Sequence, residues 1–146
     1  MRASSVARAW NSPSSSLVAT PSTTGGTLAA GTYYYRITPY TPDGYNNNTI
    51  YGVTTTEASA TTTGRTGSVA LTWTAVPGAT SYRVYKGTAA GSPTGYFVVG
   101  TNSATDTGQS LTAGTSIPSG TRWVVKVLFE LKFARFLDAA PDVAAF

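Results

Sequence analysis

Cysteine and histidine are both absent from this chain of 146 residues. With neither residue, disulfides, thiol nucleophiles, imidazole bases and the usual zinc ligand sets are excluded. Charge is sparse as well. Charged residues make up 11% of the sequence, against about a quarter in ordinary globular domains. The excess of Lys and Arg leaves a net charge of +4. It is spread thinly over the two ends and the middle of the chain rather than gathered in one patch, which argues against nucleic acid as a partner. No run of about 18 apolar residues occurs, so no membrane-spanning helix is expected. Arg2 and Arg8 are followed by no apolar core segment, so no secretory leader is expected either.

Catalytic constellations are equally lacking. The acids are Asp43, Glu57, Asp106, Glu130, Asp138 and Asp142, and no pair of them is marked out as two carboxylates set across a cleft. No G-x-S-x-G elbow and no phosphate-binding G-x-x-x-x-G-K-[ST] loop is present. Asp106 is the one conceivable calcium ligand, without the oxygen-dense loop that calcium needs. The composition therefore predicts a protein that is not an enzyme and that carries no metal or cofactor.

What fills the sequence is Ser, Thr, Gly and Tyr, with 15 glycines, 8 prolines and 9 tyrosines. Turn residues at short intervals predict an all-β fold. Residues 28–40 alternate, with Tyr33, Tyr35 and Ile37 on one face and Tyr34, Arg36 and Thr38 on the other. Thr41-Pro42-Asp43-Gly44 reads as a turn, extended by the asparagines at 46–48. Residues 49–62 read as one or two strands with a bulge at Gly52. Val69, Leu71 and Trp73 share one face of the next strand, opposite Ser68, Ala70, Thr72 and Thr74, and after the Val76-Pro77-Gly78-Ala79 turn Tyr82 and Val84 lie opposite Arg83 and Tyr85. Tyr96–Gly100 is a short apolar strand, and residues 102–120 are rich in turns.

Both ends differ from this middle. Residues 1–27 are biased toward small hydroxylated residues and read as an extended N-terminal arm, with Trp10 as its anchor on its own domain or on a neighbour. Residues 122–137 fit a strand better than a helix. Trp123, Val125, Val127, Phe129, Leu131 and Phe133 then share one apolar face, with Lys126, Glu130 and Lys132 on the other. Fourteen such residues would reach about 45 Å at ~3.3 Å each. Two readings stand: this is the last strand of the domain, or part of it pairs with another chain.

Residues 68–85, SVALTWTAVPGATSYRVY, resemble the B and C strands of a fibronectin type III domain. Leu71, Trp73, Tyr82 and Val84 stand at that family's L-x-W and Y-x-V positions. Tyr96-Phe97-Val98-Val99 and Thr105-Asp106-Thr107 resemble a later strand and turn of the family. Residues 28–44 resemble its F strand through Leu28, Gly31-Thr32 and Tyr33. The F-like strand precedes the L-x-W strand here, against the family's order. The resemblance implies an immunoglobulin-like, fibronectin III-like sandwich over residues 28–118, either as two incomplete tandem modules or, the preferred reading, as one circularly permuted domain. Residues 119–146 follow as an assembly strand and tail.

The phrases GTYYYRITPYTPDG and LTWTAVPGATSYRVYKGTAAG further resemble modules embedded in virion proteins of tailed phages. This implies a structural protein located in the virion, a capsid decoration or cement subunit. Its partners would be other capsid or tail proteins, in a multi-copy assembly held by Trp10 and the face from Trp123 to Phe133. The alternatives are a carbohydrate- or receptor-binding module, with Tyr40, Tyr45 and Tyr51 around the 43–48 loop as its surface, and a tail or connector component.

Overall fold

The computed structural model describes residues 16–42 and 49–118. Nine strands follow in chain order: β1 (Val18–Ser22), β2 (Gly31–Pro42), β3 (Thr49–Tyr51), β4 (Ala58–Thr62), β5 (Ser68–Thr72), β6 (Ser81–Gly87), β7 (Gly95–Val99), β8 (Ser103–Asp106) and β9 (Thr112–Ala113). The described residues contain no helix. All pairings are antiparallel. One sheet runs β1-β5-β8; the other runs β3-β2-β6-β7-β9, with β4 on the same flank of β2 as β3. The two sheets enclose a shared core and form a β-sandwich-like architecture.

The alternation in the sequence decides which faces meet. From the larger sheet, Tyr35, Ile37, Tyr82 and Val84 point inward; from the smaller, Val69 and Leu71, with Trp73 just beyond its end. Ala70 and Thr72, between them, are exposed. Trp73 meets Tyr82 edge to face, with ring centroids 5.3 Å apart. The Tyr82 hydroxyl accepts a hydrogen bond from the Val76 N–H at 3.0 Å. That bond ties down the β5–β6 turn, where Ala79 N–H donates to the Val76 carbonyl and Gly78 adopts φ +86°. Pro77 followed by a positive-φ glycine is the residue order a type II turn requires.

β3 and β4 behave as one interrupted strand. Tyr51 faces Tyr40 in β3, whereas Ala58 faces Tyr35 in β4, so the outer chain spends extra residues between the two pairings. The excess bulges at 52–57, as the glycine at 52 suggested. There Gly52 N–H still donates to the Pro39 carbonyl and Thr55 N–H to the Ile37 carbonyl. The bulge also accounts for a proline inside β2. In an antiparallel strand a residue's N–H and C=O face the same neighbour, so the donor that Pro39 lacks is missing on the bulged flank, where regular pairing has already lapsed.

One segment differs from its sequence reading. Residues 16–27 lie within the stretch assigned to an arm, yet Val18–Ser22 form β1, paired along the whole of β5. Ser68 Oγ and Thr66 Oγ1 donate to the Thr24 and Thr23 carbonyls and carry the docking onward. β1 is an edge strand with most of its side chains in water. Only Ala19, with Leu17 just before it, packs partly on the core, so the hydrophobic period is weak and the main-chain ladder to β5 carries most of the docking.

Candidate functional site

The outward face of the larger sheet carries an aromatic cluster around one cation. Odd positions of β6 point away from the core, which places Arg83 and Tyr85 there; register then brings Tyr40 of β2, Tyr51 of β3 and Tyr96 of β7 beside them. The Arg83 guanidinium carbon lies 4.5 Å from the Tyr96 ring centroid, 4.8 Å from that of Tyr51 and 5.7 Å from that of Tyr40. Tyr40 and Tyr51 form a cross-strand pair with centroids 6.0 Å apart, and Tyr85 and Tyr96 another at 5.4 Å.

Two arginines on this face are treated differently. Arg36 pairs with Glu57 at 3.2 Å, and the same carboxylate accepts the Gly91 N–H at 3.0 Å. Among the described residues no carboxylate pairs with Arg83, and its Nε is buried without a hydrogen-bond partner. Burial works against the Arg83 charge, but the Tyr85 hydroxyl and the nearby Tyr51 and Tyr96 outweigh it and raise its pKa. Burial likewise raises Tyr85, only partly offset by Arg83. Such a cluster offers stacking surfaces and a held positive charge, worth about 0.5–1 kcal/mol per exposed cation–π contact.

The chain runs back over part of this face after β9. A Cβ at Gly114 would stand 2.9 Å from the Tyr96 ring. Tyr85 reaches the Ser116 carbonyl at 3.5 Å, and Ile117 lines a shallow depression with Tyr34, Arg36 and Tyr85. Tyr85 is consequently buried although it points outward.

The inner face holds a second polar feature, which the sequence reading missed. Lys86 continues the inward series of Tyr82 and Val84. Its ammonium lies 2.7 Å from Asp106 Oδ2, joining β6 of one sheet to β8 of the other. The Tyr35 hydroxyl donates to the same oxygen at 2.8 Å, and the Gly108 N–H donates to Oδ1 at 3.0 Å. The Tyr33 ring lies below the ammonium, 4.7 Å from its centroid. Asp106 is fully buried and Lys86 nearly so. The parity of β6 carried two residues past Val84 would have placed Lys86 inward, though not beside Asp106.

Burial, then the charge and hydrogen bond of Asp106, push the Tyr35 pKa far above the usual phenol range. A raised acid pKa means that the fold binds this proton more tightly than the unfolded chain does. The resulting stability is complete below the ordinary phenol pKa of 10.0 and is lost as pH rises above it. In an alkaline titration, tyrosinate absorbance from Tyr35 should appear only together with loss of the β-sheet circular dichroism. Ionisation of every tyrosine while the sheet signal persists would show this reading to be wrong.

Of the residues singled out from sequence, Tyr40 and Tyr51 are brought together on the aromatic face. Trp10, Tyr45, Trp123, Val125, Val127, Phe129, Leu131 and Phe133 lie outside the described residues, as does the whole 122–137 segment. No set of three acidic, histidine or cysteine side chains suited to a metal occurs among the described residues. Both oxygens of Asp106 are already engaged by Lys86, Tyr35 and Gly108. The chain matches no family model, and no curated protein or solved structure matches it either.

Proposed function

We propose that this chain is a non-catalytic structural protein of a tailed-phage virion, a capsid decoration or cement subunit. In this reading its body is a circularly permuted fibronectin III-like sandwich, and its terminal segments bind neighbouring subunits. The fold assignment is supported by how the strands sort. The B-like β5 lies in one sheet, while the F-like β2 and C-like β6 share the other, as in immunoglobulin-type sandwiches. The virion assignment rests on the sequence resemblance of residues 31–44 and 71–91.

The observation behind the assembly role is that the described residues already close a core of their own. Ser16 is tied to Thr74 by a hydroxyl–hydroxyl bond of 2.6 Å, and Ile117 lies against the outer face of the larger sheet. Residues 16–118 thus supply a paired strand set with its own core. The segments bearing Trp10 and the Trp123–Phe133 face lie outside the described residues, and in this reading they bind the partner. Burying large apolar side chains at about 25 cal/mol per Å² would supply the hold.

Arg83 among tyrosines, with no carboxylate beside it among the described residues, favours a second reading, a carbohydrate- or receptor-binding module on the virion surface. One truncation separates the two. Deletion of residues 119–146 is expected to leave β-sheet circular dichroism and cooperative melting intact while abolishing incorporation into particles. Undiminished incorporation would refute the assembly role, and glycan binding by the truncated sandwich would favour the second reading.

A further inference from the structure

The chain has no cysteine with which to cross-link its two sheets, but Lys86 and Asp106 are arranged for a different covalent bond. We propose that these two side chains condense to an intramolecular amide between Lys86 Nζ and Asp106 Cγ, joining β6 to β8 across the sandwich.

The Lys86 nitrogen and the Asp106 carboxyl group already touch, with Nζ 2.7 Å from Oδ2. Each carboxylate oxygen has a separate donor. Gly108 N–H, 3.0 Å from Oδ1, is placed to hold the oxygen on which negative charge develops during attack. The Tyr35 hydroxyl, 2.8 Å from Oδ2, is placed to deliver a proton to the oxygen that leaves. The main chain is held at both residues. Thr94 N–H and Oγ1 bond the Lys86 carbonyl at 2.8 and 3.2 Å, and Asp106 lies within the β5–β8 ladder.

The step balances without an oxidant, activating group or metal. A proton passes from the Lys86 ammonium to the carboxylate, giving an amine beside a carboxylic acid. The amine lone pair forms the C–N bond at Cγ, and the Cγ–Oδ2 bond breaks. A second proton from the nitrogen, relayed through Tyr35, leaves with Oδ2 as water. Nitrogen keeps one hydrogen, Oδ1 becomes the amide oxygen, and Tyr35 is restored.

Two physical effects favour the product. A buried ion pair bears the desolvation of both charges, and the neutral amide removes both. Fixed neighbours also react at effective concentrations on the order of 10⁵–10⁸ M. Asp106, at 0% exposure, is closed to the bulk water that would reverse the reaction.

The test is an intact mass of the full chain followed by a digest. The purified protein should weigh less than its sequence by one water molecule. After denaturation, trypsin should fail to cut after Lys86 and should release residues 84–122 as one looped piece, also short of a water. Lys86→Arg, which keeps the charge and cannot form this amide, should show its full sequence mass. A wild-type protein at full mass, cut after Lys86 and unchanged after days at neutral pH, would overturn the proposal.

Discussion

Replacing Lys86 with methionine is expected to destabilise the fold by about 3–5 kcal/mol, the usual cost of removing one partner from a buried ion pair. The Asp106 carboxylate, fully buried, would keep only the Tyr35 hydroxyl and the Gly108 N–H. Two hydrogen bonds do not replace a cation at 2.7 Å. In a domain near this size the melting midpoint should fall by more than about 10 °C. The double variant Lys86→Met/Asp106→Leu, which leaves neither charge, should recover much of the loss. Thermal or urea unfolding of the three proteins measures this. A single variant within about 0.5 kcal/mol of wild type would mean that Asp106 regains water when its cation is removed. Where the pair is joined as an amide, the double variant also loses the link and its recovery is smaller, so intact mass is read beside the melts.

Trp73→Ala is expected to cost about 3–5 kcal/mol, the range for emptying a large aromatic from a core. Trp73 is 3% exposed, packs edge to face on Tyr82, and lies where β5 leaves its sheet. Its carbonyl accepts from Asn102 Nδ2 at 3.0 Å, and its N–H donates to the Asn102 carbonyl at 3.2 Å, so the backbone there is anchored independently of the ring. The surroundings therefore cannot collapse freely into the space, which places the cost toward the upper part of the range. Trp73→Phe should cost less, because most of the packing remains. Denaturant midpoints settle the order, and an alanine variant as stable as the phenylalanine one would contradict it.

The interior strands were legible because both of their faces leave a mark. Val69, Leu71 and Trp73 alternate with Ala70, Thr72 and Thr74, and the structure buries the first set and exposes the second. The Pro77-Gly78 turn was legible because φ preferences are local. β1 was not, because an exposed edge strand is held by main-chain bonds that any sequence can make. The aromatic site was legible in part. Tyr40 and Tyr51 flank a recognisable loop, but Arg83 joins them only through the β2–β6 register.

Lys86 shows the same division inside the core. A lysine two residues beyond Val84 reads as the soluble end of a strand until its partner is known. That partner lies across the sandwich on β8, and sequence spacing carries no information about which residue of the opposite sheet will face a given position.

The sequence by itself determined the all-β character of the described residues, the inward faces of β2, β5 and β6, and the absence of thiol and imidazole chemistry. These follow from composition and from a period of two, which are properties of each segment alone. Only the tertiary structure decided the docking of β1 and the placing of Pro39 against the bulged flank. It alone assembled the tyrosines around Arg83 and buried an ion pair between the sheets. Each of these depends on register and on which sheet a strand joins, quantities fixed by packing between segments distant in the chain.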